Sequence, residues 1–591
     1  MRSANELSSS PDSIPWTKQD TSTVLLLGLF FLIFNGFGVG AIQFFRHTEA
    51  DRTLIGWEML LRGDYLIPHI LGSVILTKPP LFYWLIAGAI AITGTPAEWA
   101  VRLPSVFAAS FLIMAHYCSL RFLSLGRTFA LLSAIVLGTS IFFLTLAAVA
   151  EIDMVFGLFC TVSLYTLLLA LQRQSFPLLL LSYFAAALAF LTKGPPIVIF
   201  FASLLVPYYL YLTYRRLSRP PLGWMIWSNL FGVLLFAVMV VSWLTLTANQ
   251  VGWDALYRAF HVEIFERAFA PTKYEKGPFF YALSLIEGTA PWSILALLSW
   301  GFFLWEYRRS RTSAVTRLSA LDLPQAFLAL NLLVVFVAVL MHSFSTGKTP
   351  RYIFPIYAFF VNILTVGLFL VAGTALERWI RSAARLLAIL GAVLFSGIPF
   401  FLALPGASPT SLYFSSAVFL LALLFLFLAA RGDSLTRLVV ALVAVLVAYR
   451  VGERTAYTEH RNFTRSVLSD VQKIDDLIPK GAPIYTIEMF ERWVPYYLMR
   501  AGRHVTRVTP RTVKELTTGR LYLLLSEQDE VWRRTQLARH DPTLRELAQY
   551  RTGATELYLL EISASALSHV APLEWIPTVP SEPYYPDKPN N

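Results

Sequence analysis

A succession of apolar runs, each near the length of a membrane-spanning helix, constrains the fold of this chain more than any other feature. A span requires about 20 mostly apolar residues, because each helical residue advances about 1.5 Å through a hydrocarbon layer of roughly 30 Å. We predict thirteen spans, at residues 24–45, 100–122, 129–147, 155–171, 177–191, 197–214, 225–246, 291–305, 325–341, 352–371, 386–404, 412–430 and 438–448. The predicted fold class is therefore a polytopic α-helical membrane protein with about 13 transmembrane helices.

Composition agrees with a membrane protein and excludes several other classes. Hydrophobic residues make up 56% of the chain and charged residues only 14%, which is unusual for a soluble enzyme. The net charge of +11 could indicate a nucleic-acid partner, but Arg and Lys stand at the ends of apolar runs, where membrane topology explains them. We expect membrane lipid and no nucleic acid as partners. Cys118 and Cys160 both lie inside apolar runs, which excludes a disulfide framework or a thiolate metal site.

The positions of basic residues predict the topology. Alternate loops such as "YRRLSRPPLGW" and "EYRRSRTSAVTR" are dense in arginine and are assigned to the cytoplasm, together with residues 1–23, which we expect to precede an uncleaved anchor. The opposite set is poor in positive charge and comprises the external loops 46–99, 148–154 and 247–290 and the short stretch "PGASPTS", all within a transmembrane domain at 24–449. One further apolar run, 79–92, is too short to span, and we interpret it as an interfacial or re-entrant helix.

The chain after residue 449 differs in composition from the part before it. Strand-like runs such as "APIYTIEM" and "RLYLLLS" alternate with helix-like runs such as "RWVPYYLMRAG". We predict a small extracytoplasmic α/β domain at 450–575. The Pro-rich tail at 576–591 is predicted to be disordered.

Acidic residues occur in two of the predicted external loops. Glu49 and Asp51 follow the first span, and Glu151 and Asp153 lie in a turn so short that both must be at the membrane surface. Ionisable groups at that depth usually face a cavity or a partner. The alternatives are a solvated loop with a Glu49–Arg52 pair, and a helix N-cap role for Asp153.

Basic residues on the same predicted side form a second set of candidates. Each could anchor the protein to lipid headgroups, but together they could hold a phosphate as it departs. The candidates are Lys78, Lys193, Arg267, Lys348 and Arg351.

The order of these motifs resembles a known family. "TEADR", "GDYLIPHI", "TKPPLFYW", "AEIDM", "LTKGPP", "KGPFFYAL" and "KTPRYIFPIY" occur in the order found in bacterial GT-C glycosyltransferases, nearest to the aminoarabinose (lipid A) transferases and the protein O-mannosyltransferases. The resemblance covers about residues 24–372. It implies transfer of a sugar from polyprenyl (undecaprenyl) phosphate to a lipid, glycan or protein acceptor at the outer face of the bacterial inner membrane.

The resemblance also implies roles for particular residues. Glu49 or Asp51 would lie beside the acceptor and sugar, and Asp153 would be the second carboxylate. The basic candidates would hold the carrier phosphate. The aminoarabinose branch has Asp-Glu two or three residues ahead of Arg-Tyr, whereas this chain reads "TEADR". Counting back from "EML" at Glu58 favours Glu49, with Asp51 close enough to compete.

Direct displacement with inversion is the mechanism that we expect from a carboxylate near clustered cations. A divalent metal is possible as a cofactor, but no pair of histidines has a metal-ligand spacing, so no metal-binding residue is predicted. The main alternative is a transporter or flippase of lipid-linked sugars, and a glycan sensor is the third. Charges gathered outside rather than at the midplane argue against the transporter.

Overall fold

The computed structural model describes most of the chain. The described residues are 15–44, 47–214, 220–263, 276–311, 318, 321, 323, 326–370, 374–401, 404–432, 435–465, 467–486, 493–508, 519–526, 541, 543–552 and 555–567. The predicted phosphate-binding residue Arg267 and the predicted disordered tail lie outside this set.

Apolar helices and short connections make up the first half of the chain. Within a bilayer such helices satisfy their own backbone hydrogen bonds, which is why apolar runs of this length become helical. The elements are α1 (Lys18–Gly36), α2 (His47–Arg62), β1 (His69–Ile70), β2 (Ser73–Val74), α3 (Leu81–Thr93), α4 (Glu98–Phe122), α5 (Arg127–Gly138), α6 (Ile141–Ala147), α7 (Ile152–Arg173), α8 (Phe176–Lys193), α9 (Pro196–Tyr214) and α10 (Leu222–Val251).

The bundle continues to residue 452. Its remaining elements are α11 (Trp253–His261), α12 (Phe280–Gly288), α13 (Trp292–Arg309), α14 (Phe327–Ser343), a 3₁₀ helix (Pro350–Ile356), α15 (Tyr357–Leu370), α16 (Ala375–Phe401), α17 (Pro409–Arg431) and α18 (Leu435–Gly452). Helices α7 and α8 pack closely along their length, as do α16, α17 and α18.

The helices confirm the polytopic membrane class. In the described part of the chain, eight helices are long and apolar enough to cross a membrane, or up to ten if the bent pairs α5–α6 and α12–α13 are each one span. Further predicted spans fall on α14, α16 and α18. The number thirteen therefore stays a prediction.

Two segments near the first loop refine the predicted boundaries. Helix α1 ends at Gly36 rather than near residue 45, because Gly36, Gly38 and Gly40 follow in close succession and Gly38 has a φ of +61°. The short apolar run at 79–92 is the 13-residue helix α3, about 20 Å long at about 1.5 Å per residue. That length is below the roughly 30 Å of a bilayer core, which supports the interfacial interpretation.

A mixed sheet with flanking helices follows the bundle. A π-helical turn (Glu453–Tyr457) leads into α19 (Thr458–Arg465), α20 (Val467–Leu477), β3 (Ile484–Thr486), α21 (Trp493–Arg500), β4 (Val505–Arg507), β5 (Arg520–Ser526), β6 (Arg545–Thr552), β7 (Thr555–Ser563) and α22 (Ala564–Leu567). The strand order is β4-β3-β5-β7-β6; β3 is parallel to β4 and β5, and β7 is antiparallel to β5 and β6. The boundaries of this α/β unit and its external location stay predictions.

The sheet region contacts the first loop through α21 and β4. Tyr497 donates its hydroxyl hydrogen to Glu98 at 2.7 Å and accepts the backbone N–H of Phe44 at 3.1 Å. The backbone N–H of Arg507 donates to the carbonyl of Leu71, in the β1–β2 turn, at 2.9 Å. The C-terminal region therefore packs on the loop that carries the first pair of candidate carboxylates.

Candidate functional site

The second candidate carboxylate lies where α7 begins. Glu151 occupies the N-cap position of this helix, with no side-chain capping bond, and Asp153 lies in its first turn. The alternative role of Asp153 as the N-cap is therefore wrong. Glu151 and Asp153 are each only 1% exposed, so both carboxylates are removed from bulk water.

Asp153 meets two of the predicted phosphate-binding residues. Its Oδ1 is 2.5 Å from Nζ of Lys193, at the end of α8, and its Oδ2 is 3.8 Å from a guanidinium nitrogen of Arg351, on the 3₁₀ helix. The Arg351 side chain is also 3.9 Å from Glu151 Oε2. It is 32% exposed, whereas the Lys193 side chain is 8% exposed. Arg351 is thus the more accessible cation of this cluster.

Aromatic rings fix the position of Lys193. Its ammonium nitrogen lies 5.2 Å from the ring centroid of Phe156 and 5.1 Å from that of Tyr352. Cation–π attraction of this kind is strengthened where water is excluded. Lys193 is therefore held against Asp153 by packing as well as by charge.

Glu151 joins this cluster to α2. Its carboxylate accepts a hydrogen bond from the hydroxyl of Thr48. Burial raises the pKa of the Glu151 carboxyl above its usual range, while the positive charge of Arg351 opposes that shift. Sequence reasoning placed Glu151 in the turn without giving it a role. Its position deep in an apolar region could have identified it as a functional residue, because ionisable groups at that depth usually face a cavity or a partner.

Glu49 is fully buried against Arg102, a residue of α4 that the sequence reasoning missed. Nε of Arg102 donates to Glu49 Oε1 at 2.9 Å, and a second nitrogen donates to Oε2 at 3.2 Å. The backbone N–H of Ala150 also donates to Oε1 at 2.9 Å. Both Glu49 oxygens are thus engaged, and neither residue has exposed surface. This arrangement connects α2 to the turn that precedes Asp153.

Asp51 has a different environment from Glu49. It is partly buried on α2 next to Arg52, and its charge acts on both Arg52 and Tyr83. Arg52 donates to the hydroxyl of Tyr83 at 2.6 Å. The alternative Glu49–Arg52 pair is wrong, because Arg102 is the cation bound to Glu49. Of the two candidates Glu49 and Asp51, Asp51 is the one with accessible surface.

The remaining predicted cations have other described contacts. Lys78 forms an ion pair with Glu263, whose charge also acts on Arg52, so this pair lies beside α2. Lys348 donates to the backbone carbonyl of Lys276 at 2.9 Å. In the described residues, no group of three or more His, Cys, Asp or Glu side chains could hold a metal ion. We assign no metal ligand.

Close helix packing sets the distance between Asp153 and Arg351. A Cβ added to Gly157, one turn beyond Asp153 on α7, would lie 2.4 Å from the ring of Phe354, three residues beyond Arg351. We expect Gly157→Ala to displace the 3₁₀ helix and to destabilise the protein by about 1–3 kcal/mol through overpacking. Thermal unfolding in detergent measures this effect.

Gly301→Ala is the matched control for that prediction. Gly301 is also helical, but an added Cβ there meets no atom within 4 Å. Its unfolding temperature should equal that of the wild type or exceed it slightly, because alanine favours helix. Equal unfolding temperatures for the two variants would contradict the packing argument.

Comparison with known proteins agrees with the family resemblance that the motifs predict. A family described as dolichyl-phosphate-mannose-protein mannosyltransferase matches residues 77–244. Two proteins named undecaprenyl phosphate-α-4-amino-4-deoxy-L-arabinose arabinosyl transferase are similar over longer stretches. The Pectobacterium carotovorum protein is 27% identical over 390 residues, which is 64% of each chain, and the Yersinia enterocolitica protein is 26% identical over 343 residues, 57% of each. The matched part thus spans about three fifths of these relatives.

A solved structure shows the same fold. The crystal structure of ArnT from Cupriavidus metallidurans in the apo state matches 94% of this chain and 100% of that chain, with a TM-score of 0.63 and 17% identity. The same protein bound to undecaprenyl phosphate gives a TM-score of 0.62. The family match, the similar relatives and the shared fold together confirm the resemblance predicted from the motifs.

Proposed function

We propose that this chain, which shares the fold of ArnT, is a membrane glycosyltransferase that takes a sugar from an undecaprenyl-phosphate carrier. The acceptor is a lipid, glycan or protein at the outer face of the bacterial inner membrane. The observation that carries the proposal is the meeting of Asp153 with Lys193 and Arg351, three residues from separate segments of the sequence. This cluster pairs a carboxylate with the cations that a phosphate leaving group needs.

The reaction that we propose is a displacement at the anomeric carbon with inversion. An acceptor oxygen forms the new bond to that carbon while the bond to the carrier phosphate oxygen breaks. Asp153 accepts the acceptor proton as a general base, and Arg351 stabilises the departing phosphate. Lys193 keeps Asp153 in place. Asp51, with accessible surface on α2, orients the acceptor or sugar, and Glu49 positions the turn before Asp153.

Sugar transfer in sealed vesicles tests this function. Purified full-length protein is reconstituted with a mixed pool of radiolabelled undecaprenyl-phosphate sugars and with bacterial membrane lipids and glycans as acceptors. We expect label to leave the carrier and appear on an acceptor. If labelled lipid crosses the membrane while no donor is consumed, the transporter explains the protein and the proposal is wrong.

The proposed contact between Arg351 and the carrier phosphate can be tested separately. We expect Arg351→Gln to raise KM for the lipid donor by about 10–100-fold, because a charged hydrogen bond to phosphate contributes about 1.5–3 kcal/mol. Initial rates over a donor titration measure this change. Arg378→Gln removes the same charge from an exposed position on α16 and should leave KM unchanged. An unchanged KM in Arg351→Gln would remove Arg351 from the phosphate site.

A further inference from the structure

Two arginines are buried where the last bundle helix leads into the C-terminal region. Arg450 is 3% exposed near the end of α18, and Arg454, four residues on, is 5% exposed in the π-helical turn. Glu453 accepts from Arg450 at 2.6 Å, and the Leu144 carbonyl accepts a second Arg450 hydrogen bond at 3.2 Å. Arg450 is therefore already engaged by a carboxylate and a carbonyl.

Arg454 is the less satisfied of the two. Within the described residues, Nε has no hydrogen-bond partner in either arginine, but Arg450 also makes the two hydrogen bonds given above. Burial, together with the positive charge of Arg450, lowers the pKa of Arg454 to about 9, which leaves the guanidinium charged at neutral pH. A buried cation is unfavourable unless an anion compensates it. The carboxylates of Glu453 and Glu49 offset the charge of Arg454 only in part, so this position favours a further, bound anion.

An apolar groove lies along the bundle, and its lining on α18 ends at Ala448, two residues before Arg450. It has a volume of about 460 Å³, and Phe30 of α1, Leu421 of α17 and Val440 and Val447 of α18 are among its lining residues. Phe30, Leu421 and Val440 are 41%, 66% and 49% exposed, so the groove is open at the surface of the bundle. Arg454 lies in the π-helical turn just after α18, so both arginines follow the part of α18 that lines the groove.

We propose that an anionic glycerophospholipid of the bilayer binds here, with its phosphate on Arg454 and Arg450 and an acyl chain in the groove. A phosphate offers the several acceptor oxygens that two guanidinium groups can share. The apolar lining supplies contact for hydrocarbon and not for a free anion. The chemistry thus matches a lipid whose charged and apolar parts are joined, at the end of a helix where headgroups lie.

The proposed lipid would stabilise the junction between the bundle and the C-terminal region. Its chain contacts α1, α17 and α18, and its phosphate neutralises the turn that leads into α19. A ligand that binds only the folded protein raises its stability. The stability of this junction would then depend on the anionic lipid content of the membrane, independently of the proposed sugar transfer.

Lipid retention and thermal unfolding of the full chain test the site. Delipidated protein is offered phosphatidylglycerol, phosphatidylcholine or inorganic phosphate in the same detergent, and bound lipid is counted by native mass spectrometry. We expect phosphatidylglycerol to be retained about tenfold more than phosphatidylcholine, as a charged contact to a buried arginine would give. It should also raise the unfolding temperature, and inorganic phosphate should not.

Arg454→Met separates lipid binding from a structural role. The variant should lose the preference for phosphatidylglycerol yet unfold no earlier than the wild type in lipid-free detergent, because it removes a buried charge that Glu453 and Glu49 offset only in part. Arg431→Met, the same change at the opposite end of α17, should keep the preference. Earlier unfolding of Arg454→Met in lipid-free detergent, with the preference retained, would overturn the proposal.

Two further results would also overturn it. Equal protection by inorganic phosphate would indicate a plain anion site, and retention of polyprenyl phosphate alone would assign the groove to a carrier lipid. Neither measurement uses sugar transfer, so the lipid site and the proposed enzymatic function can each be refuted without affecting the other.

Discussion

Asp153→Asn is expected to lower the rate of sugar transfer by about 10²–10⁴-fold, the range that a general base contributes. Asparagine keeps the size of the side chain but cannot accept the proton of the attacking group. The rings of Phe156 and Tyr352 would still hold Lys193 beside the substituted residue. The folded structure should therefore persist, with some loss of stability because Lys193 loses its buried carboxylate partner. Transfer rates at saturating donor, together with thermal unfolding, check both parts of the prediction.

The control for this variant is a second aspartate in an ion pair. Asp470 on α20 is 3.3 Å from Lys473 and belongs to the C-terminal region, so Asp470→Asn makes the same chemical change away from α7. It should transfer sugar at the wild-type rate. If Asp153→Asn kept more than about a tenth of the wild-type rate, a base that contributes about 10²-fold or more would have to lie elsewhere, with Asp51 the next candidate.

The largest effect on stability is expected from Arg102→Met. This change leaves Glu49 buried without its cation, and breaking a buried ion pair on one side costs about 3–5 kcal/mol. The carbonyls of Val39 and Ile42, which accept from Arg102 at 2.6 and 2.8 Å, also lose their donor. Thermal or denaturant unfolding in detergent should show the loss, with reduced yield of folded protein.

The double variant with Glu49→Gln shows whether the uncompensated charge is the cause. The substituted glutamine side chain is neutral, so the double variant should recover a substantial part of the stability lost by Arg102→Met alone. Equal stability of the single and double variants would mean that the lost carbonyl bonds, and not the buried charge, dominate. Transfer by the refolded double variant would further show that Glu49 is not the base.

The helical part of the fold was largely predictable from the sequence. In lipid a long apolar run forms a helix, because a helix satisfies its own backbone hydrogen bonds. The runs at 155–171 and 177–191 accordingly correspond to α7 and α8. Helix α3 was predictable as too short to cross for the same reason. The end of α1 at Gly36 was not, since the apolar residues continue past the glycines that end the helix.

The residues of the candidate site could be predicted from the sequence, but which of them form ion pairs with one another could not. Asp153, Lys193 and Arg351 could be selected because ionisable residues beside apolar runs are costly and need partners. The partners themselves follow from packing: Lys193 lies 40 residues from Asp153, and Arg102 lies 53 residues from Glu49. No local pattern favours Arg102 over the nearer Arg52 as the partner of Glu49.

The sequence by itself determined that the chain is a membrane-embedded helical bundle with charged groups at one predicted side. Backbone hydrogen bonding in lipid is a local requirement, and each apolar run meets it alone. Only the tertiary structure decided that Glu49 is held by Arg102 while Asp153 meets Lys193 and Arg351. Ion pairing depends steeply on distance and burial, and both are set when helices far apart in the sequence pack together.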